Sequence, residues 1–209
     1  MAVAVQSARL FDQTQRLLKE TEQRNAELAI INSVQAGLAA KLDMQAIYDL
    51  VGDQVRRIFD AQSVMISIFD HKARNRRFPY CWEKGARIRD EGSEPFNPLV
   101  ERLIQTQQLV SIPQATPELF VELGMAITPG TEAMKSGVFV PLMAGGEVGG
   151  FVSLQNIDRE HAFSDADVRL LGTLANSMSV ALEGARLFDE TQRLLKETEQ
   201  RNAELAVIN

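Results

Sequence analysis

One cysteine and two histidines in 209 residues leave little with which to build a metal or redox centre. Cys81 alone can neither close an internal disulfide nor supply a thiolate metal site, so a reducing compartment, the cytoplasm, is expected. His71 and His161 fall in expected turns without a ligand-type residue at metal spacing, and no P-loop, HExxH or Ser-His-Asp grouping is present. No metal site and no catalytic role are therefore expected. Apolar runs such as Gly137 to Ala144 are far below the ~20 residues of a bilayer span, and no basic-then-apolar leader opens the chain, so no membrane partner is expected. Basic charge is short as well: a net charge of −6 and a pI near 5.1 argue against nucleic acid, whose binding is driven by counterion release onto Lys and Arg surfaces. The basic cluster His71 to Arg77 has no interleaved aromatic platform and reads as a solvated turn.

What is abundant is apolar and charged residues in ordinary globular proportion, 45% and 24%, enough for one sizeable core. The ends of the chain repeat each other. Residues 8–32 and 185–209 are identical except at Gln13/Glu190 and Ile30/Val207. One full period plus a second copy of its linker implies a single module from an array of such modules, with residues 1–32 as the tail of a preceding repeat, 33–184 as the module, and 185–209 as the next linker.

The repeated segment lacks Gly and Pro, is rich in strong helix formers, and sets Glu197 four residues before Arg201, so it reads as helix. Ser164 with Asp167 resembles a capping box, which predicts one helix from Asp165 to the end of the chain. At ~1.5 Å per residue such a helix outreaches a compact module, so its distal half leaves the body. Leu187, Leu194, Leu205 and Ile208, and in the first copy Leu10, Leu17, Leu28 and Ile31, follow a 3-4 spacing expected of a dimeric coiled-coil seam, weakened by intervening Thr and Arg.

Between the linkers, Met44 to Phe59 carries helical periodicity. Residues 63–69 and 77–83 alternate as a strand pair around a turn, with Phe78, Tyr80 and Trp82 expected on one face. Pro98 to Gln108 reads as a helix, Leu109 to Ile112 as a strand, and Thr116 to Gly124 as a turn or short helix opened by Thr-Pro-Glu. Two β-rich runs, Val138 to Met143 and Phe151 to Gln155, flank a Gly-rich turn, and Pro141 marks a locally interrupted or edge-like position. The expectation is an α+β fold: an antiparallel sheet of about five to six strands, helices on one face, and a pocket on the other.

The run Val140 to Asn156, then Phe163-Ser-Asp-Ala-Asp-Val-Arg-Leu-Leu171, then Ala175 to Leu182 with Val180-Ala-Leu, resembles a GAF domain over about Ser33 to Leu187. The repeat resembles the tandem GAF arrays of bacterial sensor proteins that end in cyclase or kinase domains. The resemblance implies a regulatory module that senses a small molecule and relays through paired helices, with neighbouring modules and a downstream output domain as partners. A ligand-free dimerisation spacer is the other expectation. Ile157 and Val168 stand where cyclic-nucleotide-binding relatives carry Lys and Glu. Cys81 precedes Trp82 rather than the His of bilin-attaching relatives, and a lone Cys does not suffice for the sulfoxide reductases of this fold. The cofactor is thus left open. Side chains expected to line the pocket are Tyr80, Trp82, Phe96, Phe120 and Phe139, with Arg77, Glu132 and Lys135 as polar anchors.

Overall fold

The computed structural model describes residues 43–59, 61–88, 92–127 and 131–208, with side chains as far as Arg201, and isolated positions between Thr14 and Asn32 that are helical and exposed. Leu10, Leu17 and Ile31, and the side chains of Leu205 and Ile208, lie outside the described residues, whereas Leu28 is helical and exposed.

Each helix starts where the sequence offers a side-chain acceptor to its free N–H groups. Helix α1 (Met44–Ile58) is capped by Asp43, which accepts from the Ala46 N–H at 2.7 Å, and it buries Ile47, Tyr48, Val51 and Val55. Helix α2 (Pro98–Thr106) begins at Asn97 and is closed by Gln107 in a left-handed conformation. The short helix α3 (Pro117–Glu122) is capped by Thr116. Helix α4 (Asp165–Ile208) runs 44 residues, and its start is the expected reciprocal box: the Asp167 N–H donates to Ser164 Oγ while the Ser164 N–H and hydroxyl donate to Asp167 Oδ2.

The strands are β1 (Ser63–Asp70), β2 (Asn75–Glu83), β3 (Ala86–Arg87), β4 (Glu94–Pro95), β5 (Val110–Ile112), β6 (Ser136–Ala144) and β7 (Glu147–Asn156). They form one antiparallel sheet in the order β3-β2-β1-β7-β6-β5, with β4 paired to β2; the two-residue strands β3 and β4 bring the number to seven. The β6–β7 hairpin turns at Gly145 and Gly146, both at positive φ (59° and 88°), a geometry that favours glycine. Pro141 sits on β6 beyond the end of β5, where a missing N–H breaks no ladder on that side.

Because strand side chains alternate, the sheet has two apolar faces. On one, Val64, Ile66, Val140, Val152 and Leu154 meet α1 and the first half of α4 through Val51, Leu171, Leu174 and Met178. On the other, a smaller cluster of Phe69, Phe139 and Phe151 meets Leu99, Val100 and Leu103 of α2. The long helices thus share a face as expected, and the short α2 and α3 partly cover the opposite one.

One correction to the sequence reading concerns β2. Ile66 pairs with Tyr80 but Ile68 pairs with Arg77, so Ser67 faces the extra residue of a bulge at Phe78-Pro79. An inserted residue inverts the alternation beyond it. Phe78 therefore belongs to the α2 side, while Tyr80 and Trp82 face α1 and α4 instead of sharing a face with Phe78.

The distal part of α4 leaves the body; 44 residues at ~1.5 Å give a rod of about 66 Å. Arg186 pairs with Glu183 and Glu190, and Glu197 pairs with Arg193, four residues before it. No helix among the described residues is long and apolar enough to cross a membrane.

Candidate ligand cavity

The sheet face away from α1 and α4 holds a cavity whose empty space, counting its open mouth, is about 610 Å³. Its enclosed volume is small, about 70 Å³, so the walls stand close together.

Register across the sheet explains the chemistry of the walls. One row runs Glu83, Ser63, Gln155, and all three side chains line the cavity, giving it a polar end. The following rows on the same face contribute Met65, Phe139 and Phe151, to which α3 adds Phe120, giving an apolar middle. At the far end of β2 stands Arg76, with Glu94 of β4 and Asn97 of the α2 cap beside it. Seven strand positions at ~3.3 Å, shortened by the bulge, put the two polar ends roughly 20 Å apart at the backbone.

Both ends contain buried charge. Glu83 is 7% exposed; it accepts the Glu132 N–H at 2.9 Å and has the Ser63 hydroxyl as a second donor. Burial pushes its carboxyl above the usual range, because removal from water penalises the charged form more than these bonds repay. Arg76 donates through Nη2 to Glu94 Oε2 at 2.7 Å and lies over the Phe78 ring at 5.2 Å, while its buried Nε finds no acceptor among the described residues. At the mouth, the exposed ammonium of Lys84 pairs with Glu132.

Of the side chains expected to line a pocket, Phe120, Phe139 and Glu132 come together here. The others do not. Tyr80 is fully buried under α1, its hydroxyl donating to Asp53 at 2.9 Å and the Arg87 guanidinium 3.9 Å from its ring centre. Trp82 packs beside that core with Arg56 over its ring. Phe96 joins Phe69 in the second cluster at a centroid distance of 5.2 Å, outside the cavity walls. Lys135 donates to the Asp158 carbonyl at 3.2 Å, and Arg77 lines a second, more open pocket with His71 and Lys72. The bulge exchanges the faces of β2 beyond Phe78, so Glu83 enters the cavity in place of Tyr80 and Trp82; Arg76 and Phe78 already lie on the face expected for the pocket but were not among the expected residues, nor were Met65 and Phe151, which were placed in strands without a pocket role. A bulge one residue long leaves no composition signal beyond the Pro79 at its position. Cys81 is buried, as expected of a small apolar side chain. Among the described residues no group of three or more His, Cys, Asp or Glu could hold a metal ion.

A family model described as "GAF domain" matches residues 41–183, more than half of the chain. No curated protein matches. Among solved structures, the chain is similar to the GAF domain of an Acinetobacter phosphoenolpyruvate-protein phosphotransferase, with 19% identity, TM-score 0.65, and coverage of 79% of this chain and 95% of that one. It is similar to residues 122 to 287 of a methyl-accepting chemotaxis protein, with 18% identity, TM-score 0.60, and coverage of 76% and 99%. It is also similar to the phycocyanobilin-bound GAF domain of a cyanobacterial phytochrome, with 14% identity, TM-score 0.58, and coverage of 77% and 96%. At these identities the likeness is one of fold.

Proposed function

Since the chain belongs to the GAF domain family, we propose that it is the sensory module of a signalling protein, binding a small molecule in the sheet-face cavity and relaying occupancy through α4. The observation that carries this reading is a cavity with buried charge at both ends, built on the strands that also hold α4. Phe139 and Phe151 reach into the cavity, while Val138, Val140 and Val152 on the same strands pack under α4. A direct polar tie joins them: the Met143 N–H of β6 donates to Ser179 Oγ of α4 at 2.9 Å, and that hydroxyl donates to the Ala175 carbonyl. A ligand that spreads β6 and β7 therefore moves the helix, provided its affinity differs between two helix arrangements; a tenfold difference biases them by about 1.4 kcal/mol.

The relay is a homodimer of linker helices. Val180, Leu187 and Leu194 recur at heptad spacing and are exposed, as are Phe188 and Leu195. Thr191 and Thr198, which would weaken such a seam, donate their hydroxyls to the Leu187 and Leu194 carbonyls, which meets their polar need within the helix. In this reading the module sits in a tandem array, with other GAF modules and an output domain as neighbours. The alternative, a ligand-free dimerisation spacer, is favoured by the close spacing of the cavity walls.

Native mass spectrometry of freshly purified protein separates these. A dimer with added mass is the expected result; a bare dimer supports the spacer, and a monomer refutes the helix relay.

A further inference from the structure

Charge on the cavity walls is unbalanced. Among the described residues one guanidinium, Arg76, stands against three carboxylates, those of Glu83, Glu94 and Glu132. Arg76 is engaged by Glu94 through Nη2, its Nε being left without an acceptor among the described residues, and Glu132 is engaged by Lys84 at the mouth. Glu83, the most buried of the three, has hydrogen-bond donors and feels the neighbouring Lys84 ammonium only at a distance, since that ammonium pairs with Glu132, and among the described residues Glu83 forms no ion pair of its own. A carboxylate removed from water without a counter-charge is costly, and that cost falls when a cation binds beside it. An anionic ligand would meet Glu83 and Glu94 instead.

The apolar middle suits the rest of such a ligand. Phe120, Phe139 and Phe151 line it, with the last two rings 5.7 Å apart in an edge-to-face arrangement, walls against which an apolar body packs. The narrow clearance between the walls suits a flat body. We propose that the cavity binds a small organic cation, an ammonium or amidinium group on a flat apolar body, with the charge against Glu83 and the body among Met65, Phe120, Phe139 and Phe151. This rests on the ligand-sensing reading and gives it a ligand class.

The test is calorimetric titration of the full chain with three probes of one shape: 2-phenylethylammonium, 3-phenylpropanoate and 2-phenylethanol. The ammonium probe is expected to bind tightest. Glu83→Gln, which keeps an acceptor for the Glu132 N–H, is expected to weaken it by about tenfold or more, and circular dichroism checks that this variant folds. Phe120→Ala, on the short surface helix, is expected to weaken all binding in the cavity. Equal or tighter binding of the propanoate or the alcohol overturns the cation class; if Phe120→Ala lowers that binding too, the sensing reading survives. Unchanged ammonium affinity in Glu83→Gln also overturns it. If none of the three binds, the cation class falls, and retained mass in the native spectrum decides the sensing reading separately.

Discussion

Two glycines in helices should respond to the same substitution with opposite sign. Alanine is favoured over glycine in a helix by about 1 kcal/mol, so propensity alone predicts that Gly52→Ala in α1 and Gly172→Ala in α4 both stabilise the protein. A Cβ at Gly172 meets nothing within 4 Å, and its gain of about 0.5–1 kcal/mol should be realised in full. A Cβ at Gly52 would lie 2.4–2.5 Å from Cε2, Cδ2 and Cζ of Tyr80, where ordinary contact begins at 3.4 Å. The ring must retreat by roughly 1 Å. It is fully buried, tied to Asp53 through its hydroxyl and stacked by Arg87, so retreat sacrifices those contacts. Overpacking costs about 1–3 kcal/mol and the strained hydrogen bond about 1 more, against which the helix gain returns about 1. Gly52→Ala should therefore lose about 2 kcal/mol and lie about 3 kcal/mol below Gly172→Ala. Urea denaturation measures both directly, and in thermal melts the two should stand roughly 6–12 °C apart. Replacing Tyr80 by Leu within Gly52→Ala should recover part of the loss through positive coupling. A Gly52→Ala protein as stable as the parent would refute the packing argument.

Gly150→Ala should be harsher still, because its Cβ would lie 2.2 Å from the Ser67 carbonyl of the neighbouring strand and backbone cannot rotate away; a loss above about 3 kcal/mol, seen as unfolded or insoluble protein, is expected. Ser164→Ala removes the acceptor for the Asp167 N–H at the start of α4 and should cost about 1 kcal/mol in urea midpoint analysis without changing the fold. Burial holds the phenols of Tyr48 and Tyr80 above the ordinary tyrosine range, with the hydrogen bond to Asp53 adding to the effect at Tyr80. Ultraviolet titration of the folded protein should accordingly show no phenolate step near pH 10, while the denatured chain shows both tyrosines there. Above about pH 10 the folded state keeps protons that the unfolded chain releases, so stability should fall as pH rises further, and a flat profile from pH 9 to 11 would contradict the burial of these phenols.

Much of the architecture was legible because it depends on local signals. Ser164 and Asp167 mark the start of α4 whatever surrounds them, and the absence of Gly and Pro over the linker repeat lets one helix run on. The β6–β7 hairpin is written in Gly145-Gly146 between β-rich runs. Of the residues expected at a pocket, Phe120, Phe139 and Glu132 line the candidate cavity, whereas Tyr80 and Trp82 face α1 and α4, and the buried guanidinium is Arg76 rather than its neighbour Arg77.

The sequence by itself determined the helix starts, the approximate positions of the five longer strands, the apolar periodicity of α1 and the repeat that frames the module, but not the two-residue strands β3 and β4. These follow from hydrogen-bond capping, backbone preference and side-chain alternation within a few residues of chain. Only the tertiary structure decided which side of β2 faces the cavity. A bulge opposite Ser67 is a property of two strands paired together, and its single extra residue moves Phe78, Cys81 and Glu83 to one side and Tyr80 and Trp82 to the other. The row that joins Glu83, Ser63 and Gln155 likewise exists only once β1, β2 and β7 are in register, so the chemistry of the candidate site belongs to the assembled sheet rather than to any one segment.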